Sequence, residues 1–99
     1  MGIEIIWTKK AIKTFDKRIA YLEQHWTKKE IFNFTTRVNE YLESLQSQPL
    51  MFRKSVRLKN THIGVLIKQV SLVYRVKSKN CIELIAFIDN RQNPKNQNY

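Results

Sequence analysis

Pro49 divides this chain into two halves with different hydrophobic periods. Before it, apolar residues recur every three or four positions, the pattern of helices with one buried stripe. After it they run in short, nearly unbroken stretches, the pattern of strands with much of their surface covered. Ninety-nine residues make room for one small domain, so both halves must share a core. The expected product is a single domain over residues 1–99. It is of the α+β class, a helical hairpin packed on a mostly antiparallel sheet in the order β-α-α-β-β-β.

The local signals in the first half agree with that outline. Ile3, Ile5 and Trp7 alternate with Gly2, Glu4 and Ile6, as in a short strand. Thr8 can then cap a helix whose apolar stripe is Ile12, Phe15, Ile19, Leu22 and Trp26, with Lys9, Lys13, Lys17 and Arg18 largely outside it. Thr27 and Glu30 form a T-x-x-E capping box. The helix it opens buries Ile31, Phe34, Val38, Leu42 and Leu45 and stops before Pro49. With almost nothing between the two helices, they fold back on each other.

In the second half, Ile63 to Ile67, Val70 to Val76 and Cys81 to Ile88 are β-branched and apolar at strand length. The connection at Lys68-Gln69 is tight enough to require an antiparallel hairpin. Ser78-Lys79-Asn80 reads as the next turn, with Asn80 able to tolerate a left-handed conformation.

Several functions are excluded early. The longest apolar run, Leu84 to Ile88, is far short of a bilayer span, and no secretory core follows Glu4. One cysteine, Cys81, provides neither an internal disulfide nor a zinc cluster. Gly2 and Gly64 are the only glycines, so no phosphate-cradling loop exists. The expectation is a cytoplasmic protein with no membrane contact, no metal and no small-molecule cofactor.

Charge is concentrated late in the chain. Residues 1–50 carry eight basic and six acidic side chains, whereas residues 51–99 carry ten and two. Excess cations of this kind favour an anionic partner. Arg53, Lys54, Arg57 and Lys59 form a dense run, followed by Lys68, Arg75, Lys77 and Lys79, then Arg91 and Lys95. Arginine presents a planar fork of donors suited to phosphate or carboxylate. The candidate binding set is Arg53, Lys54, Arg57, Lys59 and Arg75.

Other reactive groups have plainer readings. Glu83 is expected at the sheet surface, and Asp89 is expected to order the turn after the last strand. Cys81 reads as a buried, inert thiol, and His25 as a favourable charge at a helix C-terminus. For His62 a surface or turn role is expected, with a proton acceptor as the alternative. Trp7, Trp26 and the phenylalanines stand at core periodicity.

Order, length and charge together give a resemblance over essentially the whole chain, from Ile5-Ile6-Trp7-Thr8 to Pro94. Its most specific pieces are Leu72-Val73-Tyr74-Arg75-Val76, Ile82-Glu83-Leu84-Ile85 and Asp89-Asn90-Arg91-Gln92-Asn93-Pro94. With these the chain resembles the RelE/ParE family, toxins of bacterial type II toxin–antitoxin modules. The resemblance implies a growth-inhibiting toxin, of the kind associated with plasmid stabilisation, neutralised by a cognate antitoxin that folds around it. It also implies one of two activities. ParE-like members bind and poison DNA gyrase, with no chemistry required of them. RelE-like members cut mRNA on the ribosome without metal, using basic side chains.

Laid on the RelE-like pattern, His62 and Gly64 stand where those nucleases place basic residues, and Ser71 stands in place of an arginine. Arg91 matches their C-terminal arginine, while Gln97 replaces a tyrosine, with Tyr99 two residues later. The expectation is therefore a ParE-like toxin that binds gyrase. The alternative is a metal-independent endoribonuclease using Arg91 and His62. The antitoxin is expected in the groove between helical hairpin and sheet, with Arg53, Arg57 and Arg75 among its contacts.

Overall fold

The computed structural model describes residues 3–48, 53–54 and 59–90. Pro49, Arg57, Arg91, Pro94, Lys95, Gln97 and Tyr99 lie outside them. The chain runs β1 (Glu4–Trp7), α1 (Lys9–His25), α2 (Lys28–Ser47), β2 (Arg53–Lys54), β3 (Thr61–Ile67), β4 (Val70–Ser78) and β5 (Cys81–Asp89). The five strands form one sheet in the order β1-β5-β4-β3-β2. β1 runs parallel to β5, and every other pair is antiparallel. This is the expected α+β architecture, with the two-residue β2 added inside what the sequence presents as a connection.

Both helix starts follow from side-chain chemistry. The capping box is complete: the Glu30 amide donates to Thr27 Oγ1 at 3.3 Å, and the Thr27 amide donates to Glu30 Oε1 at 3.2 Å. Only Trp26 and Thr27 separate the helices, which forces the hairpin. At α1, Thr8 Oγ1 accepts from the Ala11 amide at 3.1 Å and donates to the Leu84 carbonyl at 2.7 Å. A turn later, Thr14 Oγ1 accepts from the Phe87 amide at 2.9 Å. β1 pairs β5 only as far as Leu84, so these two hydroxyls satisfy the edge of β5 where the ladder ends.

That attachment fixes how α1 is turned. Ala11 is fully buried, whereas Ile12, expected in the core, is 48% exposed. The helix lies so close to β5 at Thr8 and Thr14 that only a small side chain fits between them. The rest of the expected stripe holds: Phe15, Ile19, Leu22 and Trp26 all belong to the core or pack against it. Trp7, Phe15, Phe34 and Phe87 join β1, α1, α2 and β5 through ring contacts of 5.2 to 6.0 Å. Aromatic contacts of this kind add about 0.5–1.5 kcal/mol per pair beyond area burial.

Both helices cover the same side of the sheet, the side bearing Leu72, Tyr74, Ile82, Leu84 and Phe87. Strand alternation sends Val73 and Arg75 to the other side. Val73 and Ala86, paired across β4 and β5, are buried there too.

One expectation about the second half, that for His62, is corrected. Lys79 and Asn80 form the expected turn, and among the described residues the left-handed one is Asn60, at φ 58°. The ladder beside that turn carries a register shift between Val76 and Ser78. The Asp89 carboxylate meets Arg18 at 3.2 Å, tying β5 to α1. Asn90 does the turn work, with its amide donating to the Gln69 carbonyl and its side chain donating to that of Lys68. His62 is neither at the surface nor in a turn. It is 1% exposed and stacked on Tyr74 at 5.2 Å.

Candidate partner-binding site

On the side of the sheet away from α1 and α2, the register of β4 and β5 sets Arg75 opposite Glu83. Arg75 Nε donates to Glu83 Oε1 at 3.2 Å, and Nη2 donates to the same oxygen. Lys77 Nζ stands 3.8 Å from Oε2. One carboxylate is thus held between two cations, one on each oxygen. Glu83 is largely covered, while the Arg75 and Lys77 side chains are 48% and 52% exposed. The cations therefore face solvent and the acid lies beneath them.

The turn before β3 joins this group. Val76, between Arg75 and Lys77, donates its amide to the Asn60 carbonyl at 2.9 Å. Thr61 pairs with Arg75, and exposed Lys59 is two residues before it. Lys59, Arg75 and Lys77 therefore gather at one end of the sheet. Lys54 is exposed on β2, opposite His62 in register. Arg53 pairs with Ile63 through the backbone of that edge strand. Arg57 and Arg91 lie outside the described residues.

The structure thus brings together Lys59 and Arg75 from the expected set and adds Lys77 and Glu83. Arg75 is on the face away from the helices, not in the groove between hairpin and sheet, because Tyr74 and Val76 on either side of it pack inward. Counting back from the Lys79-Asn80 turn pairs Arg75 with Leu84, and only the register shift between Val76 and Ser78 brings it opposite Glu83, with Lys77 beside them at the i, i+2 spacing.

The electrostatics suit holding rather than reacting. The Arg75 hydrogen bond keeps the Glu83 carboxyl below the usual glutamate range; desolvation opposes this, and the charges of Lys77 and Arg75 reinforce it. The folded state favours ionised Glu83. Its contribution to stability is therefore full above the ordinary glutamate pKa and is lost as pH falls through the lowered one. In a carboxyl-carbon NMR titration, Glu83 is expected to have a midpoint below that of an ordinary glutamate. Arg75→Met should move it back up, and the same midpoint in both proteins would contradict the clamp.

An acid so readily ionised is a poor proton acceptor at neutral pH. His62, the other candidate base, is enclosed in the core. The Ser71 hydroxyl, at the position where an RNA-cutting relative would carry arginine, donates to Asn90 Oδ1 at 2.6 Å. Among the described residues, no group of His, Cys, Asp and Glu is placed to hold a metal, and no helix is long and apolar enough to cross a membrane.

A helical hairpin on one face of a mixed sheet, with cations gathered on the other, defines a small α+β domain of the toxin type. The chain belongs to the ParE toxin family of type II toxin–antitoxin systems, whose family model matches residues 5–94. In fold it is similar to a chain of the chromosomal ParDE toxin–antitoxin system from P. aeruginosa, with TM-score 0.71 and 16% identity over 88% of this chain and 95% of that one. It is also similar to a copper-bound mutant toxin from Helicobacter pylori, with TM-score 0.63 and 22% identity over 89% and 94%. A third likeness is to the heterotetrameric YoeB-YefM toxin–antitoxin complex from Staphylococcus aureus, with TM-score 0.54 and 19% identity over 85% and 92%. At these identities the likeness carries the fold alone. No curated protein sequence matches the chain.

Proposed function

We propose that this toxin acts by binding DNA gyrase in the cytoplasm and is neutralised by a cognate antitoxin. The observation that carries the gyrase reading is the state of the candidate proton carriers. RNA cleavage through a 2′-hydroxyl needs an acceptor beside that hydroxyl and cations around the phosphate. Among the described residues, the acid beside the exposed cations is Glu83, held ionised by its clamp, while His62 is buried. A surface of Lys59, Arg75 and Lys77 is equipped to grip. The antitoxin reading draws support from the family and from fold relatives described as toxin–antitoxin systems.

Expression without an antitoxin tests the target. The expected result is growth arrest with a DNA-damage response and intact messages. Codon-biased mRNA cleavage with normal supercoiling would overturn the gyrase reading in favour of an mRNA endonuclease.

A further inference from the structure

Four cations crowd one end of the sheet, where β3 begins and the β4–β5 turn closes. Lys59, Arg75, Lys77 and Lys79 are all exposed. Arg75 and Lys77 are two residues apart on β4, which puts them roughly 7 Å apart on one face. Counting on from the Thr61–Arg75 pair sets Lys59 level with Lys77, and Lys79 follows in the turn. The exposed residues between these cations are Asn60, Ser78 and Asn80, types that donate to phosphate oxygens. The acid within the group, Glu83, lies beneath the surface and is engaged by Arg75 and Lys77. Among the described residues, the other acid at this end of the sheet is Glu4, on edge strand β1 beyond β5.

Two features favour a nucleic-acid duplex here. The centre of a protein interface is apolar or aromatic and poor in lysine, whereas the large apolar side chains exposed on this chain stand apart from the cations. Ile12, Tyr21 and Phe32 are on the helices, Val65 is toward the far end of β3, and Ile6 is across Glu83 on β1. Single-stranded nucleic acid, in turn, is held by stacking its bases on exposed aromatic rings. Tyr21 and Phe32 supply none at this end of the sheet. A duplex asks only for cations and hydrogen-bond donors along its backbone, which carries one negative charge per roughly 1.7 Å of axis.

We propose that this end of the sheet binds the phosphate backbone of duplex DNA without regard to sequence. The role of the contact rests on the gyrase reading, since an enzyme that works on duplex DNA brings that duplex to the toxin. If the antitoxin also reaches Arg75 and Lys77, the two partners exclude each other.

Fluorescence anisotropy of the full chain with a labelled duplex of mixed sequence tests the contact in the absence of gyrase. Saturable binding is expected, with log affinity falling against log salt at a slope of about 3 to 4. R75M/K77M should bind about tenfold or more weakly, with the slope reduced by about two. K59M/K79M should do the same without disturbing Glu83, since neither lysine has an ion pair among the described residues. K9M/K13M, which removes equal charge from α1, should bind within about twofold of wild type if the contact is local. No saturable binding, wild-type affinity in both sheet variants, an equal loss in K9M/K13M, or tighter binding of single-stranded RNA would each overturn the proposal. Duplex binding by a toxin that leaves gyrase unaffected would keep the contact and reject the gyrase reading. Gyrase inhibition without duplex binding would do the reverse.

Discussion

Phe87→Ala is expected to cost about 3–5 kcal/mol of folding stability. That is a large share of the roughly 5–15 kcal/mol that holds a domain together. Phe87 is 1% exposed, stacks on Trp7 and meets the edge of Phe15. Its amide is also the one that Thr14 satisfies, so collapse around the cavity would disturb the α1–β5 attachment. Phe32 provides the contrast. It lies on α2 with 68% of its surface exposed, and Phe32→Ala should stay within about 0.5 kcal/mol of wild type. Denaturant midpoints for the two variants, at unchanged slope, check both values. Equal losses would mean that the aromatic cluster is not the centre of the core.

The second large effect falls on binding. Replacing Arg75 and Lys77 by glutamate turns the two cations flanking Glu83 into carboxylates, leaving three acids side by side. If this end of the sheet grips the antitoxin, affinity should drop about a hundredfold or more, and the loss should be greatest at low salt. Both side chains are half exposed, so the fold should survive. Arg75→Lys is the sharper probe, because lysine cannot present two donors from one plane. It should weaken binding without changing the charge. Isothermal titration against the purified antitoxin reads both variants, and undiminished affinity in the double variant would remove this site from the interface.

Most of the architecture was legible because it is set by local chemistry. The capping box at Thr27 and Glu30, the short link at Trp26 and Thr27, and the apolar runs of β3 to β5 each specify their element without distant partners. Features set by register were not legible. β2 is two residues long and exists through its pairing with β3, which no periodicity announces. Ile12 and Ala11 exchange places because Thr8 and Thr14 bond to β5, and such long-range bonds cannot be read from a helical stripe.

His62 was misplaced because its sequence neighbours are basic, although alternation with Gly64 and Leu66, both buried, points it inward. The candidate site was half visible. Arg75 stood out by type and charge, but its partner Glu83 and the face it occupies depend on the β4–β5 pairing. That pairing carries the electrostatic conclusion, since it converts a surface glutamate into a clamped, ionised one.

The central claim is that this toxin disables gyrase by binding and does not cut RNA. Purified protein added to gyrase and relaxed plasmid tests it most directly. The account predicts loss of supercoiling, with broken DNA accumulating only when gyrase is present, and no cleavage of mRNA on translating ribosomes under matched conditions. Full supercoiling alongside cleaved ribosome-bound message would contradict it.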